Sequence, residues 1–337
     1  MKYPKFLKYG DTIGVPAPSD GMSNEQKKNK ARYALKKLKS LGYNLAVSKN
    51  IMKSKNGRSA DAKVRAKEFN DMLKNDDINF ILCASGGDFL VEMLPYIDFE
   101  LLKKNLKFVA GFSDPTGVMY PITTKYDIAT IYGLNFATLG TEVIHESETN
   151  FLEIIKGNLV PQKSFDLYEN EKAEKITGLE GYNLTEKVYW HTLNGKSVHV
   201  KGRIIGGCFD LISELMGTKY DGTSKFVEKY KDDGIIWYFD NCELSMEETI
   251  RVLWRMNEMN YFKYAKAIIF GRFGVSNTYY DYDTKTCLKD SVLNDLNIPI
   301  IYDADISHKR PNLTIINGSI ADIEVKNGKG KISFELK

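Results

Sequence analysis

Cysteine is scarce in this chain: four residues in 337 (Cys83, Cys208, Cys242 and Cys287), widely spread and forming no C-x-x-C pair. That excludes a disulfide scaffold and points to reduced, mostly buried thiols. The four histidines have no metal-ligand spacing with one another or with the cysteines, so no zinc site and no other metal is expected. Long apolar runs are missing as well. The longest, such as Ile235 to Phe239, are strand-sized and far short of the ~20 residues a membrane helix needs. The opening MKYPKFLKYGD is broken by Pro4 and by charges, leaving no apolar core for a signal peptide, and a cytoplasmic protein is expected. Net charge is only +3 and no Lys/Arg stripe could track phosphates, which disfavours nucleic acid as a partner. No G-x-G-x-x-G occurs, and the loop Cys83 to Asp88 carries no Gly-Lys-Ser/Thr, so neither a dinucleotide loop nor a phosphate loop can be drawn there.

The chain has enough apolar residues, 43%, to build large cores, and at this length two domains are the natural expectation. In the first half, apolar runs alternate with amphipathic stretches. Strands are read at Thr12 to Ala17, Tyr43 to Val47, Phe80 to Ala84 and Phe108 to Phe112. Helices are read at Glu25 to Leu41, stopped by Gly42, and at Ser59 to Lys74, with Ala62, Ala66, Phe69 and Leu73 on one face. This alternation implies an α/β fold, a mostly parallel sheet covered on both faces over residues 1–150. Residues 151–190 are polar and without clear period, and read as an inter-domain connection. Residues 191–337 read as a smaller, β-rich α/β domain. Its strands fall at Val198 to Ile205, Gly234 to Phe239, Ala267 to Phe270 and Pro299 to Tyr302, its helices at Phe209 to Met216 and Met246 to Met259. A terminal hairpin turns at Asn327-Gly328.

The sharpest chemical signal is GFSDPTG at Gly111 to Gly117, where an apolar strand meets a sharp turn and Pro115 stands at a helix start. Strand, turn and helix together expose a nucleophilic serine at the edge of a parallel sheet, and the N–H after it points at a developing oxyanion. The pattern is G-x-S-x-P rather than G-x-S-x-G, so an α/β-hydrolase fold is not implied. Taken alone, Ser113 and Asp114 also fit a plain helix cap. SGGD at Ser85 to Asp88 follows a strand directly, and its two glycines suit either a tight turn or a close backbone approach to a ligand. His308 sits just past the run Ile298 to Tyr302, in a loop with Pro311, placed to face a cleft. His145, His191 and His199 read as ordinary surface or satisfied histidines.

In order along the chain, these segments resemble the LD-carboxypeptidase family of serine peptidases, which includes the microcin C immunity-type hydrolases. The likeness runs through GDTIGVPAPS (Gly10 to Ser19), SGGD, GFSDPTG, GRIIGGCFDLISELMGTKYDG (Gly202 to Gly222), WYFDNCELS (Trp237 to Ser245) and DADISHKRP (Asp303 to Pro311). The resemblance implies a Ser–Glu–His triad drawn from both domains, with Ser113 as nucleophile and His308 as general base. It implies oxyanion donors at the N–H groups of Gly87 and Asp114, no cofactor, and a homodimer.

Here the sequence departs from the family at one position: the strand-end glutamate is Asp240, one methylene shorter. Asp240 is the expected third member, with Glu243, three residues on, as the alternative. Family members remove the terminal D-amino acid from murein peptides, or cleave peptidyl and aminoacyl nucleotides, and this chain resembles the second group somewhat more. Trp190 is the candidate nucleobase platform, with a packed domain-junction tryptophan as the other reading. Arg272 and Arg310 are candidates for a substrate carboxylate. The competing class is a catalytically impaired small-ligand-binding protein on the same fold.

Overall fold

Each apolar run of the N-terminal half becomes a strand, and each amphipathic stretch a helix laid against it. The computed structural model describes residues 1–172, 174–275 and 278–337. The chain divides into two units. One is Lys2–Asn158 with a return stretch ending at Gly181; the other is Leu159–Lys172 with Tyr182–Lys337 and Met1.

The first unit contains β1 (Thr12–Val15), α1 (Glu25–Ser40), β2 (Asn44–Val47), α2 (Ala62–Lys74), β3 (Phe80–Leu82), α3 (Glu100–Lys104), β4 (Phe108–Gly111), α4 (Thr116–Tyr126), β5 (Thr130–Tyr132) and α5 (Glu146–Ile155). The strands run parallel in the order β5-β4-β3-β1-β2. β3 and β4 are buried along their whole length, as expected for a sheet covered on both faces. Local sequence sets the helix ends. Asn24 caps α1 by accepting the Lys27 N–H at 2.8 Å, and Gly42 takes φ +89 just past its end. The second helix starts at Ala62 rather than Ser59, because Asp61 takes the cap position with a non-helical ψ of 148. Adjacent strands β1, β3 and β4 deliver their C-terminal loops side by side, which is where parallel sheets place their sites.

The second unit contains β6 (Gln162–Lys163), β7 (Leu167–Tyr168), β8 (Glu186–Lys187), β9 (His191–Thr192), β10 (Val198–Cys208), α6 (Phe209–Leu215), α7 (Thr223–Lys229), β11 (Ile235–Asp240), α8 (Met246–Glu258), β12 (Ala265–Gly271), α9 (Thr284–Lys289), β13 (Ile300–Ala304), β14 (Ile315–Asn317), β15 (Ile320–Lys326) and β16 (Lys329–Glu335). Its main sheet has the order β6-β16-β15-β10-β11-β12-β13-β9. β10 to β13 are parallel and the flanking strands antiparallel. β15 and β16 form the hairpin expected at Asn327-Gly328, both with positive φ. Ser245 and Glu248 form a capping box that starts α8.

One expectation is corrected. The C-terminal unit is not the smaller one: the two are of similar size, and its main sheet is the broader. The stretch 151–190, read as an inter-domain connection, is packed in several places. Phe151, Ile154 and Ile155 bury the inner face of α5, β6 joins the sheet of the second unit, and Val188 and Trp190 are buried. Its polar composition hid a few well-spaced apolar residues, and those are the ones that pack.

Within the second unit Arg203, on β10, is almost fully buried. Its Nε and Nη2 donate to Asp233 at 2.9 and 2.6 Å, another N–H donates to the Gly318 carbonyl, and the guanidinium lies 3.9 Å over the Tyr230 ring. Removing the carboxylate would strand a buried cation. Asp233→Ala is therefore expected to lower unfolding stability by about 3 kcal/mol, checked by urea titration followed by circular dichroism. A loss under ~1 kcal/mol, the worth of an exposed pair, would contradict this.

Candidate active site

Ser113 stands between β4 and α4 with φ +71, the left-handed region that a non-glycine residue enters only when its surroundings impose it. Those surroundings are specific. A side chain at Gly111 would put a Cβ 2.7 Å from Pro115 Cβ and 3.2 Å from Cys83 Cβ, so the strand can turn this sharply only with glycine there. Phe112 is gripped at both backbone atoms by the buried Asn135 amide, its N–H donating to Oδ1 at 2.9 Å and its carbonyl accepting from Nδ2 at 2.9 Å. The Ser113 N–H donates to the Tyr132 hydroxyl at 3.4 Å, and the Ser113 carbonyl accepts the Thr116 N–H at 2.9 Å to open the helical turn. Pro115 takes the cap position of α4 with helical dihedrals.

The SGGD loop lies directly against the serine. A Cβ on Gly86 would stand 3.1 Å from Ser113 Cβ and 3.3 Å from its Oγ. Gly87 has φ +156, and a side chain there would collide with Ser19 and Asp20. Arg65, buried on α2, ties the loops together by donating to the Pro18 carbonyl at 2.7 Å, the Phe89 carbonyl at 3.0 Å and Glu92 at 2.9 Å. Burial, reinforced by the Asp114 charge, pushes the Cys83 thiol far up, so this neighbour is no competing nucleophile.

In the second unit Asp240 ends β11 with no exposure, and its Oδ1 lies 2.9 Å from Nδ1 of the half-buried His308. Glu243, the alternative acid, is exposed, and its N–H is held by Asp210. Asp210 also accepts the N–H groups of Cys242 at 3.0 Å and Leu244 at 3.1 Å, so one carboxylate fixes the loop that follows Asp240. An imidazole whose Nδ1 is held by a carboxylate presents Nε2 as its proton-exchanging atom.

Two of the proposed binding residues, Trp190 and Arg272, both donate to Asp305, near His308 in sequence. Trp190 is 1% exposed and its indole N–H donates to Asp305 at 2.9 Å, so it offers no face for a nucleobase. Arg272, 4% exposed, donates to Asp305 at 2.8 Å and to the Lys309 carbonyl at 3.0 Å, and lies 4.3 Å over the Tyr168 ring. Its charge is paired with the buried Asp305 carboxylate. Arg310 is half-buried with no ion pair recorded among the described residues. The remaining histidines are ordinary: His145 caps α5, His191 stacks on Tyr302, and His199 pairs with Asp322 at 2.9 Å. Among the described residues no cluster of three or more His, Cys, Asp and Glu side chains could hold a metal, and no helix is long and apolar enough to cross a membrane.

A serine held in a sharp strand-to-helix turn is a feature found in hydrolases, and so, separately, is a buried carboxylate–imidazole pair. The chain belongs to the LD-carboxypeptidase family: the family's N-terminal domain matches residues 13–133 and its C-terminal domain residues 201–323. It is 27% identical to the microcin C7 self-immunity protein MccF of Escherichia coli over 330 residues, covering 95% of this chain and 92% of that one. Among solved structures, an MccF-like protein from Bacillus anthracis str. Ames superposes with TM-score 0.84 at 24% identity, all of both chains being covered. MccF in complex with aspartyl sulfamoyl adenosine superposes with TM-score 0.79 at 24% identity over 99% of each chain.

Asp114 adds a pH signature. Burial raises its carboxyl from 3.8 to about 7, against the opposing Ser19 and Leu90 hydrogen bonds and Arg65; Asp88 pushes the same way as burial. The folded protein thus holds this proton more tightly than the unfolded chain does. The stability it contributes is fully present below pH 3.8 and is lost as pH rises through about 7, a swing of at most ~4 kcal/mol. Asp114→Asn should remove that component. The difference in urea unfolding free energy between variant and wild type is expected to shift in the variant's favour from pH 4 to pH 8, and a pH-independent difference would contradict it.

Proposed function

We propose that the protein is a serine hydrolase in which Ser113 is the nucleophile, His308 its general base, and Asp240 the acid that orients His308. The observation that carries this reading is the buried Asp240 carboxylate on His308 Nδ1, paired in the sequence with a serine held at φ +71. Ser113 Oγ attacks the substrate carbonyl carbon while His308 Nε2 takes the hydroxyl proton. The tetrahedral oxyanion is held by the N–H groups of Asp114 and Gly87, each such donor being worth ~3 kcal/mol. The C–N bond then breaks, the leaving nitrogen takes the proton from His308, and water hydrolyses the acyl-enzyme by the same base.

The substrate class we favour is an aminoacyl or peptidyl nucleotide. The relatives support this: the E. coli relative is a microcin C7 self-immunity protein, and MccF is seen with aspartyl sulfamoyl adenosine. Murein peptides are the alternative, by the family's name. Arg310 is the candidate partner for a substrate carboxylate. In this reading the enzyme works in the cytoplasm as a homodimer, the assembly the family resemblance implies.

Asp240→Asn is expected to lower kcat by about 10⁴, as neutralising the acid of a triad does. A loss under tenfold would remove Asp240 from the triad. Given aspartyl sulfamoyl adenosine and a murein tetrapeptide side by side, the enzyme should favour the adenylate by at least ~10-fold in kcat/KM, a gap of about 1.4 kcal/mol. Turnover of the tetrapeptide alone would reverse the substrate assignment and leave the hydrolase.

A further inference from the structure

Asp114 has a second feature that its backbone role does not use: its side chain. The carboxyl has no exposure, one oxygen accepts both the Ser19 hydroxyl and the Leu90 N–H (the latter at 3.1 Å), and the other oxygen is buried without a hydrogen bond. Among the described residues no cation pairs with it directly; Arg65, whose charge acts on it, donates from Nη1 and Nη2 to Pro18, Phe89 and Glu92, while its Nε has no hydrogen-bond partner. A buried acid without an ion partner costs stability, and an apolar side chain would fill the space at less expense. The fold alone gives no reason to keep it.

What the carboxyl joins explains the placement. Ser19 is itself fully buried, its carbonyl accepts the Ser59 N–H at 3.0 Å, and it lies in the space a side chain on Gly87 would need. Leu90 opens the short turn that follows the SGGD loop. On the other side of Gly87, the Ser85 hydroxyl donates to the Asp20 carbonyl at 2.6 Å. The segment carrying Gly87 is therefore anchored both before and after the glycine, and the later anchor ends on the side chain of the residue whose own N–H follows Ser113.

We propose that the Asp114 side chain, acting through Ser19 and Leu90, is a positioning group that fixes the Gly87 N–H and the Asp114 N–H at one spacing around Ser113. The proposal rests on the hydrolase reading above. Its mechanism is geometric: oxyanion donors help only when they are already aimed at the place where charge develops, so slack between two strand-end loops weakens the transition state without weakening substrate binding.

The test compares wild type with Ser19→Ala, Asp114→Ala and Asp114→Asn in the full chain. It follows turnover of aspartyl sulfamoyl adenosine and the rate at which a fluorophosphonate labels Ser113. Ser19→Ala and Asp114→Ala are expected to lower kcat and the labelling rate together by tenfold or more, with KM within twofold. Asp114→Asn, whose amide oxygen can still accept from Ser19 and Leu90, should recover at least half of the Asp114→Ala loss on a logarithmic scale. Should Asp114→Ala fail to fold, Ser19→Ala and Asp114→Asn decide. Wild-type rates in Ser19→Ala, a loss confined to KM, or no recovery in Asp114→Asn would each overturn the proposal. Absence of both labelling and turnover in the wild type would instead overturn the hydrolase reading, and this inference with it.

Discussion

The backbone at Ser113 is the constraint on which the first unit turns. A left-handed serine costs on the order of 1 kcal/mol, and the neighbourhood that holds it there is built from parts distant in sequence. Gly111 leaves room for Pro115 and Cys83, the Asn135 amide clamps Phe112, and Tyr132 receives the Ser113 N–H. A parallel sheet supplies the platform, because neighbouring strands end at the same edge and their loops can brace one another. The strain is thereby shared among several contacts.

In the second unit, burial is combined with hydrogen bonding to opposite ends. Asp240 is removed from water and would be costly there alone; the His308 contact gives it a partner. The loop bearing His308 is held from below by Asp305, which accepts from Arg272, Trp190 and the Phe165 N–H. Arg272 continues to the Lys309 carbonyl, one residue past the histidine. The imidazole thus sits on a short tether whose anchors are buried, while the ring itself stays half-exposed. In the proposed mechanism, an orienting acid and a well-anchored loop let the second nitrogen of a general base meet a substrate repeatedly in one geometry.

Much of this was legible in the sequence, because strands, glycines and caps act locally. The alternation of apolar runs with amphipathic stretches predicts the parallel sheet, and G-x-S-x-P marks the elbow. Asp240, preferred to Glu243 in the sequence, is the acid that touches His308. What was not legible depends on long-range pairing. Asn135 lies in an unremarkable YGLNFATLG segment and becomes important only when β5 aligns with β4. Trp190 and Arg272 carry the chemistry of binding residues, yet Asp305 claims them both. The polar stretch 151–190 looked like a connection because its packing residues are few and spaced by turns.

The measurement that bears most directly on the central claim is the site and rate of covalent modification by a fluorophosphonate, read by intact mass and peptide mapping. The account predicts a single adduct located on Ser113, and a rate that collapses when His308 is replaced by alanine. Adduct formation elsewhere, or labelling of Ser113 that is indifferent to His308, would contradict it.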